Sequence, residues 1–222
     1  CNGRPDLGAV GVQLVEDVTP FEHMKLRMLN GTHSSLAYLG YLAGHETIAE
    51  TMADPVFADF VRGLWQDEII PALTPPPGED LGAYADALAA RYANPAIRHR
   101  TWQIAMDGSQ KLPQRILGTI AEGRAAGRAV PGLTLAVAAW MRYASGRDEQ
   151  GAVIEVKDPL APRLAALWRD DPAQTVAGFL ALGEVFPPAL RDDAGFAADL
   201  TAALSGLMKD GARSMVAGRV AA

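Results

Sequence analysis

Apolar residues recur at helical spacing in block after block from Thr19 onward, while the alternation that marks a strand is confined to Val10, Val12 and Leu14. The pattern predicts an all-α chain, with residues 1–19 as an extended linker or short strand and residues 20–222 as one helical domain. Thr19-Pro20 offers a cap and a proline at the first helical position, opening a helix from Pro20 to Asn30 or beyond. Gly31 permits a break there, and Thr32 or Ser34 could cap a second segment reaching Ala43. Further helices are predicted over residues 45–52, 54–70, 81–92, 113–125 and 133–145. Residues 146–157 read as a polar excursion with a short hairpin. Asp158-Pro159, Asp171-Pro172 and Pro187-Pro188 then punctuate short helices, and residues 195–220 carry the last long one. Trp140 and Tyr143 are assigned to the core.

The stretch MKLRMLNGTHSSLAYLGYLAG, residues 24–44, begins amphipathic and ends almost wholly apolar. Lys25, Asn30 and His33 interrupt it. At about 100° and 1.5 Å per residue, Asn30 lies roughly 140° and His33 roughly 80° round from Lys25, along about 12 Å of axis. One sector therefore holds an amine, an amide and an imidazole: a base, a donor, and a second donor or acceptor that could read a small polar substrate. Each residue also has a plain reading. Lys25 alone is a solvated lysine, Asn30-Gly31 a turn or helix end, and His33 a satisfied core or surface histidine.

A second block, NPAIRHRTWQIAMDGSQKLPQRI, follows Asn94. Helical spacing would set Arg98 one turn from Trp102 and His99 one turn from Gln103. Asp107-Gly108-Ser109 is a turn, and Pro113 suits the first turn of the following helix. Lys111 would project from the loop or helix entrance with Arg115 one turn on, where the helix dipole favours an anion such as a sugar-acid carboxylate. The competing reading is a solvated lysine and a surface-paired arginine.

Composition narrows the classes. A chain of 222 residues, 49% hydrophobic, can bury one large core. Its net charge of −6, without a basic stripe, argues against nucleic acid. No apolar run approaches the roughly 18–20 residues of a membrane span. The single cysteine, Cys1, excludes an internal disulfide and a thiol metal cluster, in keeping with a cytoplasmic setting. His23, His33, His45 and His99 have no metal-ligand spacing, so no metal is expected. The chain begins at Cys1 without a leader pattern, and a piece of a longer polypeptide is expected. No G-x-G-x-x-G follows a strand, and Gly8-x-x-Gly11 is too short, so a dinucleotide site is expected to lie outside these residues.

The string KLRMLNGTHSSLAYLGYLAG closely resembles the signature of the long-chain mannitol/polyol and hexuronate dehydrogenases, whose Lys-x4-Asn-x2-His motif falls on Lys25, Asn30 and His33. The resemblance spans the whole chain. It implies the all-α, multi-helix C-terminal substrate domain of an NAD(H)-dependent oxidoreductase acting on CH–OH groups, similar to that of 6-phosphogluconate dehydrogenase-like enzymes. A Rossmann domain would precede it in the same protein and hold most of the NAD. Lys25 would be the general acid/base, with Asn30 and His33 binding and polarising the reacting oxygen. D-G-S-x-K-[IL]-P also recurs in that family, its lysine near the substrate, which implies Lys111.

Mannitol-oxidising members tend to carry arginine where this chain has Gln103. TWQIAMDGSQKLPQR (residues 101–115) and AAWMRYASGRDEQG (residues 138–151) look instead like the fructuronate reductases, or D-mannonate oxidoreductases. The implied substrate-binding set is Lys111, Arg115 and Gln103, the first two for a hexuronate carboxylate. A mannitol, arabinitol or altronate-type dehydrogenase is the alternative within the class. A helical oligomerisation or partner-binding module is the alternative outside it. The partners implied are a small sugar acid or polyol and the Rossmann domain, not nucleic acid or membrane.

Overall fold

A helix that is apolar all round has to sit inside, and Pro131–Ala144 does: every residue but Pro131 and Arg142 is buried. It packs against Thr32–Leu42, buried except at Tyr41, and against Ala194–Asp210. Trp140 and Tyr143 are both 2% exposed and belong to this core, as their pattern predicts. The N-terminus of Pro131–Ala144 receives a buried carboxylate, because Glu68 accepts from Gly132 N–H at 2.7 Å and Leu133 N–H at 2.8 Å. Burial lifts that carboxyl to about 7, against the pull of the two bonds.

This computed structural model describes Gly3 and residues 5–220, so Cys1 lies outside the described residues. Among the described residues the regular structure is helical, with isolated bridges at Thr47–Arg100 and Arg147–Val153. The all-α class is thus observed. No helix among the described residues is long and apolar enough to cross a membrane. The predicted helix over residues 81–92 is present as Leu81–Tyr92, its first N–H groups taken by Asp80. Asp54 and Asp171 likewise cap helices that begin with proline.

Several expectations are corrected. Val10, Val12 and Leu14 form no strand; they are exposed on a lead whose regular element is one short turn, Gly8–Val10. Thr19 is not the cap of the first helix, since its own N–H donates to Asp17 at 2.9 Å. Residues 146–157 make a single bridge rather than a hairpin, the turn held by Asp148 accepting from Gln150 and Ala152. The last helix is two, Ala194–Asp210 and Ala212–Val220. Gly211 turns between them at φ 80°, and Glu149 takes the Ala212 N–H.

The correction that matters most concerns Gly31. The chain does not break there: its φ of −65° and ψ of −49° are helical. Residues 19–42 run continuously from Thr19–Met24 through a widened π-turn at Lys25–Gly31 into Thr32–Leu42. The glycine is needed for space. A Cβ at residue 31 would lie 2.5 Å from the carbonyl oxygen of Arg115, which belongs to a second π-turn, Pro113–Leu117. Pro113 therefore sits inside a helical run rather than opening one. A wide turn there suits a residue with no N–H to give.

Gly31→Ala is expected to destabilise this chain by about 1–3 kcal/mol, since backbone must shift to admit the methyl group. Urea unfolding of the two proteins measures it; equal midpoints would mean that the contact yields freely.

Candidate active site

The π-turn Lys25–Gly31 is braced from three directions. Trp65, on a further π-turn at Leu64–Ile69, donates its indole N–H to the Met28 carbonyl at 3.1 Å and to Thr32 Oγ1 at 2.8 Å. Tyr92 donates its hydroxyl to the Leu29 carbonyl at 2.5 Å. Arg27 forms a two-pronged pair with Glu122, at 2.5 and 2.6 Å, and reaches the Ala72 carbonyl at 3.0 Å. With bonds closing from residue i to i+5, the turn also brings Lys25 and Asn30 nearer to one line than about 140° of a regular helix would.

The three motif residues meet different surroundings. Lys25 is exposed, and its amine has no hydrogen-bond or ion-pair partner among the described residues. Asn30 is half-buried, and its side-chain amide makes no hydrogen bond there. His33 opens Thr32–Leu42 and is 9% exposed. Tyr92 stacks on its ring at 5.3 Å between centroids and 30°, and His99 lies against it at 5.2 Å and 43°. Trp65 continues the column beyond Tyr92 at 6.4 Å. His33 Nε2 is buried without a hydrogen-bond partner. Burial above all, then the nearby His99, Arg115, Arg91 and Lys111, depresses the imidazole to about 3. It is neutral at ordinary pH, able to donate from one nitrogen and accept at the other.

The second block reaches the same place by a different route. Asp107 takes a left-handed conformation at φ 56°, which aspartate tolerates better than most residues. Gly108 then passes so close to Tyr38 and the Trp140 indole that no Cβ fits. The Asp158 carboxylate accepts from Ser109 N–H at 2.8 Å and Oγ–H at 2.6 Å, so the anion at this helix start is supplied by the protein itself. Lys111 lies within the helix Gly108–Leu112, not in a loop. Its Nζ donates to the Met106 carbonyl at 2.7 Å and stands 3.8 Å from Asp107. Burial and Arg115 lower its pKa, with Asp107 pulling the other way. Arg115 donates to Ser34 Oγ at 3.2 Å, next to His33. Its guanidinium is half-buried, its Nε has no partner, and no carboxylate pairs with it among the described residues.

His33, Lys111 and Arg115 therefore share one electropositive neighbourhood, with Lys25 and Asn30 on the same continuous helix. Gln103 stands apart. It is exposed on the short helix Thr101–Ile104 and makes no hydrogen bond among the described residues. Arg98–His99–Arg100 is not helical, so the one-turn pairing with Trp102 and Gln103 does not hold. Instead, Ile48 N–H donates to the His99 carbonyl and Thr101 N–H to that of Glu46, which fixes the loop. Tyr92 and His99 are the functional neighbours that the sequence reading missed; Tyr92 meets Leu29 across 63 residues, and no local pattern marks it. A cleft of about 510 Å³ lined by Tyr41, His45, Arg100, Trp102, Asp148 and Glu155 includes none of the candidate residues. Of the three motif residues, Lys25 is open to solvent, Asn30 half-buried and His33 enclosed. Among the described residues no group of three or more His, Cys, Asp or Glu could hold a metal ion.

Residues 17–208 match the family model described as the mannitol dehydrogenase C-terminal domain. D-mannonate oxidoreductase of Escherichia coli (strain K12) is 49% identical over 97% of this chain and 45% of its own length. Mannitol 2-dehydrogenase of Phaeosphaeria nodorum is 39% identical over 97% of this chain and 38% of its own length. Among solved structures, Pseudomonas fluorescens mannitol 2-dehydrogenase, in a ternary complex with NAD and D-mannitol, superposes with a TM-score of 0.93 at 36% identity. That match covers 99% of this chain and 44% of the other. The chain spans less than half the length of these relatives.

The depressed His33 imidazole makes stability pH-dependent. The unfolded chain takes up this proton near pH 6.5 and the folded chain only near pH 3, so stability is intact above about 6.5 and is lost as pH falls toward 3. On the order of 3 kcal/mol is at stake between pH 7 and pH 4. His33→Gln should flatten that part of the profile in urea unfolding; an unchanged acid slope would show that His33 titrates normally.

Proposed function

This chain belongs to the mannitol dehydrogenase C-terminal domain family, and from that premise we propose that it is the substrate-binding and catalytic domain of an NAD-dependent oxidoreductase that interconverts D-mannonate and D-fructuronate. The observation that carries the sugar-acid reading is Arg115. A half-buried guanidinium beside His33, with Lys111 near and no carboxylate paired to it among the described residues, suits an anionic substrate group. The 49% identity to D-mannonate oxidoreductase, against 39% to a mannitol 2-dehydrogenase, supports the same choice.

When bound, the nicotinamide supplies the hydride acceptor or donor. Among the described residues no strand–turn–helix crevice offers a dinucleotide site, and the cofactor is assigned mainly to a Rossmann domain elsewhere in a longer polypeptide. The residues here handle the oxygen and its proton. In oxidation the neutral amine of Lys25 takes the hydroxyl proton at Nζ as the hydride leaves the same carbon; in reduction its ammonium form returns a proton to the ketone oxygen. The Asn30 amide donates to the oxygen as negative charge develops. Neutral His33 binds that oxygen or the adjacent hydroxyl. Lys111 and Arg115 hold the carboxylate, while Gln103, which stands apart from them, takes no part in this reading. An amine works as a base near neutrality only when desolvated or set among cations. Lys25 is exposed here, so closure of the open face by the rest of the protein is part of the reading, and this chain alone should turn over nothing.

Lys25→Ala in the full-length enzyme is expected to lower kcat by roughly 10²–10⁴-fold; near-normal turnover would remove Lys25 as the acid/base. A second assay follows NADH oxidation with fructuronate, tagaturonate and fructose side by side. Fructuronate should lead, and Arg115→Gln should raise its KM roughly tenfold or more while leaving fructose unaffected. Preference for fructose, or no KM change in R115Q, would turn the assignment toward a polyol dehydrogenase.

A further inference from the structure

We propose that Tyr92 is the positioning residue that sets Asn30 and His33 relative to each other. It closes the helix Leu81–Tyr92 and is 5% exposed. Its hydroxyl donates at 2.5 Å to the Leu29 carbonyl, which is half of the peptide bond leading into Asn30. Its ring lies along the His33 imidazole at 5.3 Å and 30°. One side chain therefore touches the backbone that aims the amide and the plane that aims the imidazole.

The π-turn explains why such a brace is needed. A turn with i→i+5 bonds is a local departure from the i→i+4 ladder, and partners from elsewhere add to its own bonds; the Leu29 carbonyl also accepts from the Thr32 N–H. Trp65 serves Met28, and Tyr92 serves Leu29. Without the Tyr92 hydroxyl, the Leu29 carbonyl keeps its bond from Thr32 N–H but loses its tie to the helix Leu81–Tyr92, so the Leu29–Asn30 peptide can tilt and turn the Asn30 side chain with it. His99 covers the His33 ring at 5.2 Å, so loss of the Tyr92 ring would free the imidazole to rock while His99 stays in place. Buried tyrosines ordinarily end on a hydrogen bond, and that alone would make Tyr92 structural. The choice of acceptor, one residue before Asn30, and of stacking partner, His33 itself, is what gives it a role in the reaction.

The test uses the full-length enzyme with fructuronate and NADH. Tyr92→Phe removes the hydroxyl and keeps the ring; Tyr92→Leu removes both. Y92F is expected to lower kcat roughly 10- to 100-fold, the scale of a small misplacement of a reacting group, with KM changed less than about threefold. Y92L should lower kcat further and also raise KM as His33 loosens. Leu200→Ala, in the core of Ala194–Asp210, lowers Tm without touching the site and reports what lost stability alone does to kcat. A kcat for Y92F no lower than that of L200A would overturn the proposal and leave Tyr92 a brace of the fold. The inference rests on Asn30 being a site residue, which Asn30→Ala checks in the same assay. Wild-type kcat in N30A removes the premise and the proposal together, whereas low kcat in N30A beside wild-type kcat in Y92F removes the positioning role alone.

Discussion

The carbonyl oxygen of Arg115 occupies the space where a side chain on residue 31 would have to be. That one approach of backbone to backbone presses the helical run of residues 19–42 against the run of residues 108–125, and much of the site follows from it. It sets Arg115 within reach of Ser34 and so beside His33, and it brings Lys111 into the same field. The Arg27–Glu122 pair joins the same two runs one turn away. Glycine is the residue that lets two helices come this close, and the cations gather because their backbones do.

The row formed by Lys25, Asn30 and His33 draws notice in the sequence because polar residues in an apolar helix stand out against their neighbours, but the angles that regular helical spacing gives it are altered by the π-turn. The core assignment of Trp140 and Tyr143 was legible for the complementary reason. Gly31 misled because a glycine after asparagine marks a helix end about as well as it marks a close contact, and the contact is with a segment more than eighty residues away. The π-turns left no trace in the hydrophobic period, which averages over several turns and cannot register one wide one. Gly211, inside a run that keeps its apolar spacing, concealed a true helix end for the same reason. The Asp-Gly-Ser turn was visible from composition, but Asp158 as its counter-ion was not, because the two meet across 49 residues.

Burial and exposure divide the candidate residues. His33 is enclosed by rings and cations and held neutral. Lys25, which would have to gain and lose a proton, faces outward, while Asn30 lies between the two conditions. An enclosed imidazole keeps its orientation through a reaction cycle. An exposed amine can exchange its proton with water whenever the face is open. The aromatic column from Trp65 to His99 supplies the rigidity on one side, and the open face leaves room for whatever closes over it on the other.

The π-turn also sets which way the motif faces. A π-turn is an α-helix that holds one more residue than its ladder has places for, accommodated by a wider loop of backbone. Lys25 and Asn30 both lie on the wide turn Lys25–Gly31. Were the same residues to form a plain helix, everything beyond them would turn by about 100° about the axis. The face that His33 and the rest of Thr32–Leu42 turn inward therefore depends on the wide turn that precedes them.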